Sequence, residues 1–425
     1  MVALRGHFFA CLFLFTGPAL AADALSMAAI FQKASDYQSI DRVKALREQA
    51  AAERMASASR LIAGTPSISL SQKSDRWNKD AGNQEDAVGL TVPLWRWGER
   101  QAAMAAASSR SESVRTESEA HRHALAGQVR DGVWGYLRAS LREQMLKGQL
   151  EEALKTDADA MRRLGAGDIS RVDQLNARMA AQGLQTELVE QTNRRLKAER
   201  QLIEATGLSG ADMGFGSDVA ALSAAINRLA ETLPRAEDRQ RALESSIEHE
   251  QLLARVRHAQ DQLRLIRQRG SGSPELSIES TRARSVFGEP FAQTTTLSVS
   301  VPFGGGASQR AELADLASDL ANAEQALMRY QKTFEFGWST GLELVSQKQR
   351  ARDLAKQRSL DAMVILQALT KAADAGEIDY LERLRAERQT FEAQLAALDA
   401  DVDYHQTVSE FLQSIGRKPS GVRQP

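Results

Sequence analysis

The chain matches itself at one fixed offset, and this limits its fold more than any local motif does. Pro93 and Pro302, Gly132 and Gly341, Gly167 and Gly376, and Gly207 and Gly416 each stand 209 residues apart. Residue classes agree around these anchors. Leu90-Thr-Val-Pro-Leu94 answers Val299-Ser-Val-Pro-Phe303, and Gly167-Asp-Ile-Ser-Arg-Val-Asp-Gln-Leu175 answers Gly376-Glu-Ile-Asp-Tyr-Leu-Glu-Arg-Leu384. Pro66 answers Pro274 with a slip of one residue. The sequence is therefore a tandem duplication: a first repeat over 22–207, a connector over 208–245 with Gly210, Gly214, Gly216 and Pro234, and a second repeat over 246–416.

Both repeats carry the same parts in the same order. A helix comes first, over about 25–62 and then about 244–269, with Leu252, Val256, Leu263 and Ile266 at helical spacing. A β-hairpin follows, over 65–94 and 274–303. Ile68 and Leu70, then Val88, Leu90, Val92 and Leu94, alternate with Ser, Gly, Thr and Pro; Leu276, Ile278, Leu297, Val299, Val301 and Phe303 do the same in the second copy. Period-two alternation gives each hairpin one apolar and one small polar face. After Gly98, or Gly304 to Gly306, a proline-free helix is expected over 99–164 and 308–375, roughly 100 Å long at 1.5 Å per residue. That length suits a coiled-coil tube or rod rather than a globule. Gly165-Ala-Gly167 and Asp374-Ala-Gly376 break it, and return helices are expected over 168–206 and 377–415. A heptad seam is legible in the second, at Leu384, Phe391 and Leu398.

Composition fits long helices. There are only 9 Pro and 23 aromatics (5 Trp, 5 Tyr, 13 Phe) in 425 residues, which disfavours a β-sandwich or an α/β enzyme. A formal net charge of −1 argues for no nucleic-acid partner. At the amino terminus, Arg5 and His7 precede the apolar run Phe8 to Phe15, then Gly17-Pro18 and Ala19-Leu20-Ala21. This reads as a signal peptide over 1–21, with Ala19 and Ala21 as its cleavage signature. Cys11, the sole cysteine, lies inside it, so the mature chain is expected to have no disulfide, thiolate metal site or cysteine nucleophile. No later stretch reaches eighteen uninterrupted apolar residues, so a membrane-embedded mature protein would be embedded through strands.

Four strands cannot close a barrel, since the smallest outer-membrane barrels have eight. Either the hairpins are soluble or several protomers pool them. The double order of helix, strand, strand, long helix, glycine tip and return helix, with Leu-Thr-Val-Pro-Leu-Trp-Arg-Trp-Gly-Glu-Arg at 90–100 and Ala-Gly-Asp-Ile-Ser-Arg-Val-Asp-Gln-Leu-Asn-Ala at 166–177, resembles the TolC family of outer membrane efflux proteins. The resemblance spans essentially the whole mature chain and extends to the cation-efflux, CzcC-like branch. It implies a mainly α fold with β-hairpins, in which a homotrimer forms a long coiled-coil α-barrel continued by a twelve-stranded transmembrane β-barrel. It also implies an outer membrane location with a large periplasmic portion, outer membrane lipid around the barrel, and a role as exit duct. The implied partners are a periplasmic adaptor and an inner-membrane transporter of the RND type.

Site residues follow from the same resemblance. Glu382, sixth after the tip glycine, and its repeat mate Asp173 are expected at a periplasmic pore constriction; the ninth positions, Arg385 and Asn176, depart from the family's second acidic ring. Gly167 and Gly376 are expected to turn the helix tips and dock the adaptor. Trp95 and Trp97 are expected as membrane-interface aromatics. Asp168, Glu377 and Asp379 fit helix capping better than pore lining. Gly132 and Gly341, mid-helix, imply close helix approach. The nine-residue tail 417–425 is expected to be disordered.

An enzyme is not expected. His121 and His123 lie two apart on a helix and cannot share a face, the other histidines are scattered, and no metallopeptidase, hydrolase or phosphate-loop motif is present. No cofactor is implied. The rival readings are the outer membrane component of type I protein secretion and a soluble periplasmic coiled-coil adaptor or scaffold.

Overall fold

A computed structural model describes residues 27–215, 233–304, 306–375 and 377–416. The signal-peptide reading with Ala19 and Ala21, the tip glycine Gly376, and the tail 417–425 lie outside the described residues.

The duplication is visible in the element lengths. In the first repeat, α1 (Met27–Tyr37) and α2 (Ile40–Ser59) lead into strands β1 (Ser67–Ser74) and β2 (Gln84–Pro93). The long helix α3 (Glu99–Ala166) and the return helix α4 (Arg171–Thr206) complete it. In the second, a short 3-10 turn (Ala236–Asp238), α5 (Arg239–Glu244) and α6 (Ile247–Arg269) precede β3 (Glu275–Arg284) and β4 (Ala292–Ser300). Then follow α7 (Ala307–Asp374) and α8 (Tyr380–Ser414). Both long helices have 68 residues, hence roughly 100 Å of rod each.

The expected single first helix is instead two helices in the first repeat, while in the second it is the one helix α6, with the short α5 before it in the connector. Ser39 adopts the left-handed conformation (φ 54°) between α1 and α2. The break falls where the chain passes the end of the return helix: Gly207 (φ 71°) caps α4 with the Tyr37 ring against it, and its mate Gly416 (φ 79°) sits against Ser246 between α5 and α6. A side chain at either glycine would collide with the crossing segment.

Long helices are held by narrow seams. Gly132 of α3 approaches Leu202 of α4, where an added Cβ would lie 3.3 Å from Leu202 Cδ1. Its mate Gly341 of α7 approaches Phe411 of α8, and an added Cβ would overlap that ring. Leu202 and Phe411 are themselves 209 apart, so the close approach implied by the mid-helix glycines recurs in both copies. The main apolar core joins α1, α3, α4 and the chain just after α4 through Ile30, Val133, Trp134, Leu137, Leu202 and Phe215. In the second copy an aromatic run takes over: Tyr330, Phe334, Trp338 and Phe411 follow one another with ring centroids 5.8 to 6.0 Å apart. The heptad seam of α8 is real, with Phe391 and Val402 buried and Leu384 and Leu398 half-buried.

The four strands form one antiparallel sheet in the order β1-β2-β3-β4, so β2 and β3 join the repeats. Register aligns Ile68, Leu90, Ile278 and Leu297 across all four strands. Val92, Leu276 and Val299 form the next row of the same face. The opposite face presents Ser69, Gly89, Glu279 and Thr296, then Ser67, Thr91, Ser277 and Ser298. No helix among the described residues is long and apolar enough to cross a membrane.

Candidate functional site

Two places concentrate specific contacts: the joint where strands become helices, and the far tips of the helices.

At the joint, the segment Trp95-Arg-Trp-Gly-Glu-Arg100 ties the two repeats together. Arg96 donates from Nε to the Gly272 carbonyl at 2.7 Å and from Nη2 to the Pro302 carbonyl, both in the second repeat. Glu99, 1% exposed, accepts from the Arg96 amide at 3.0 Å and from Arg269 Nε at 3.1 Å. A buried carboxylate is tolerated here because it is paired on both sides. Gly98 at φ 78° turns the chain into α3. Trp95, expected as a membrane-interface aromatic, sits at the joint. Its indole donates to the Arg60 carbonyl at 3.0 Å, and its ring packs beside the alanine seam of Ala58, Ala102, Ala103, Ala106 and Ala107. It is a joint residue, half-buried in helix packing. Trp97 is 99% exposed and Phe303 93%, both beside the joint.

A cavity of about 360 Å³ opens at this joint, lined in part by Arg54, Trp95, Arg110, His258 and Arg269. Burial, with the Arg110 charge, pushes the His258 imidazole below its usual range.

At the tips, Gly167 (φ 81°) ends α3 in a Schellman arrangement: its amide donates to the Leu164 carbonyl at 3.1 Å and the Asp168 amide to Arg163 at 2.9 Å. In the second repeat the Glu377 amide donates to the Ala372 carbonyl at 2.9 Å, the matching bond around Gly376. Ser170, rather than Asp168, caps α4. Its hydroxyl accepts from the Asp173 amide at 3.2 Å, and the Asp173 carboxylate accepts from the Ser170 amide at 3.1 Å, a reciprocal capping box. Asp173 is thus committed to its own helix start, half-buried. Asp379 precedes α8 without a side-chain cap bond, and Glu382 is exposed in the first turn of α8. No group of three or more metal-ligand side chains occurs among the described residues.

Tyr380 is a tip residue that sequence reasoning passed over. It is buried against Ala160, Ala177, Ile169 and Leu384, and its hydroxyl donates to the Thr156 carbonyl of α3 at 3.2 Å. Burial pushes its pKa up to about 12, so it stays a donor throughout the physiological range. It ties the tip of the second repeat to the long helix of the first. Only its place as the first residue of α8, behind the tip glycine, could have marked it.

Helical rods of roughly 100 Å thus carry at one end a four-stranded sheet with an apolar face and a small polar face. The outer membrane efflux protein family model matches residues 37–208, which is most of the first repeat. Among curated proteins, the cobalt-zinc-cadmium resistance protein CzcC of Cupriavidus metallidurans is 24% identical over 331 residues, covering 77% of this chain and 76% of that protein. Among solved structures, CusC superposes with a TM-score of 0.72 at 16% identity, covering 96% of each chain. The Campylobacter jejuni CmeC outer membrane channel does so at 0.69 and 13%, covering 92% of this chain and 85% of that one. The chain thus resembles outer membrane efflux proteins in sequence over residues 37–208 and shares the fold of outer membrane channels along its length.

Proposed function

We propose that the protein is the exit duct of a tripartite efflux system, acting as a homotrimer in the outer membrane and passing cations outward from an inner-membrane transporter of the RND type through a periplasmic adaptor. The observation that carries this is the sheet. Its apolar rows, Ile68-Leu90-Ile278-Leu297 and Val92-Leu276-Val299, are largely uncovered by this chain, and its outer strands β1 and β4 each have one unpaired edge. Exposed edges and an exposed apolar face are liabilities unless other strands and lipid cover them. Three copies supply twelve strands, within the range of closed outer-membrane barrels. The helices agree, since α4 and α7 leave Met179, Val189, Phe336, Leu354 and Val364 exposed, apolar side chains that neighbouring protomers would bury.

The cation assignment rests on the similarity to CzcC and on Glu382, exposed at the tips. Three copies around one axis make a ring of carboxylates that concentrates cations. Asp173 contributes field from its capping position. Gly167 and Gly376 leave the tips small enough for an adaptor hairpin to sit against them; at Gly167 an added Cβ would meet nothing within 4 Å. Trp97, with Phe303, marks the periplasmic interface of the barrel.

The test is reversal potential in a salt gradient across planar bilayers. Wild-type pores are expected to favour cations, Glu382→Gln to lose most of that preference, and Asp173→Asn to lose less. Equal reversal potentials for wild type and Glu382→Gln would contradict the ring. Recovery of the protein in the soluble periplasm would instead favour the adaptor or scaffold reading.

A further inference from the structure

The end of the sheet farthest from the helices carries two arginines that the conduit role does not use. Arg282 and Arg284 of β3 share the face of Leu276 and Ile278, because their side chains follow at intervals of two. On that face, the chain runs from Val301, one residue past the end of β4 near the joint, to Gln293, the register partner of Arg282. Eight residues at about 3.4 Å each, with a tilt of roughly 40°, give about 21 Å along the membrane normal. An apolar band of a transmembrane barrel is about 25 Å tall, so Arg282 stands at its outer edge and Arg284 about 5 Å beyond. Lipid hydrocarbon ends and headgroup begins at that height.

Local contacts hold these side chains ready. The Arg282 guanidinium lies 4.2 Å from the Phe291 ring centroid and that of Arg284 lies 4.8 Å from the same ring, with Phe287 at 5.4 Å from Arg284. Arg284 Nε donates to the Gly82 carbonyl at 3.2 Å, and the Phe287 amide to the Ala81 carbonyl at 3.0 Å, so the two outer loops are clasped together. Asp86 is the register partner of Arg282, yet its carboxylate accepts from the amides of Gln72 and Gln84 at 3.0 Å each. Neither arginine has a carboxylate within ion-pair distance among the described residues. Two stacked guanidiniums without acidic partners are matched to phosphate, which they bind through paired N–H donors. Strand β3 is interior to the sheet, flanked by β2 and β4, so a neighbouring protomer does not cover this face.

We infer that Arg282 and Arg284, braced by Phe287 and Phe291, form a binding site for the phosphate groups of a glycolipid in the outer leaflet, one site per protomer. This rests on the outer membrane trimer proposed above. A lipid phosphate held across β3 and the two clasped loops fixes the barrel's height in the membrane and stiffens its rim.

Detergent-purified trimer separates this inference from that reading. The probes are bisphosphorylated lipid A, the same lipid A without its phosphates, and inorganic phosphate; the readout is the temperature at which trimer dissociates. The bisphosphorylated lipid is expected to raise that temperature, with the dephosphorylated lipid and inorganic phosphate each giving far less. Arg282→Gln with Arg284→Gln is expected to form the trimer and to need about tenfold or more lipid for the same protection, while Arg282→Lys with Arg284→Lys keeps part of it. Equal protection of wild type and the glutamine variant, or equal protection by dephosphorylated lipid or by inorganic phosphate, would overturn the site. Failure of the wild-type protein to form a detergent-dependent trimer would instead overturn the duct reading.

Discussion

Gly132 and Gly341 are repeat mates, yet alanine is expected to act differently at each. At Gly132 the new methyl meets the flexible end of Leu202, and a gain of up to about 1 kcal/mol in helix propensity offsets the contact. Gly132→Ala should therefore change stability by less than about 0.5 kcal/mol. At Gly341 the methyl meets the Phe411 ring, which is buried and held edge-on by Trp338 at 5.8 Å. Overpacking there costs about 1–3 kcal/mol, so Gly341→Ala should lower the thermal midpoint clearly, and equal midpoints for the two variants would contradict the packing account. Tyr380 offers a second residue-level test. Tyr380→Phe keeps the ring among Ala160 and Ala177 and removes only the bond to the Thr156 carbonyl, worth about 1 kcal/mol. The tips should then part more readily, and single-channel recordings should show more frequent opening with bulk stability nearly unchanged.

Three histidines contribute to the pH response of the helices. His249 and His258 on α6 and His405 on α8 are all pushed below the usual imidazole range, foremost by burial. A proton bound at pH just below 6.5 therefore goes to the unfolded chain before the folded one, and stability rises with pH through that window. It should be complete above about pH 6.5 and fall as pH drops toward 6. Urea midpoints at pH 7.5 and 6.0 check this; a midpoint that does not fall at pH 6.0 would contradict it. At this scale the sequence was most informative about the strands, whose alternation fixes the two faces, and about the long helices, whose length follows from absent prolines and paired glycines. It did not reveal the break at Ser39, because neither glycine nor proline marks it and the cause is a crossing with Gly207 far along the chain. Nor could spacing show what Arg96 and Tyr380 do: Gly272 is 176 residues from Arg96, and Thr156 is 224 from Tyr380. Nor could it show that Trp95 bonds the Arg60 carbonyl and lies beside helical alanines.

Taken whole, the molecule is an incomplete object as a single chain. Its sheet leaves an apolar face and two edges open, and its long helices leave apolar stripes on α4 and α7. Repeat joins repeat through the β2–β3 pairing, through Arg96 at the joint, and through an ionic set midway along the rod in which Asp403 of α8 is bonded by Lys348 of α7 at 2.7 Å and by Arg138 of α3. These bonds hold Asp403 below the usual carboxylate range against the opposing effect of burial. The set therefore contributes above the ordinary aspartate pKa and is lost only as pH falls through the lowered one. Among the described residues four strands form an open sheet, which the proposed trimer would close into a tube. Oligomeric mass of the mature protein, measured in mild detergent and again after detergent removal, tests this most directly. The account predicts a trimer that persists in detergent and aggregates without it, whereas a detergent-free monomer or dimer would contradict it.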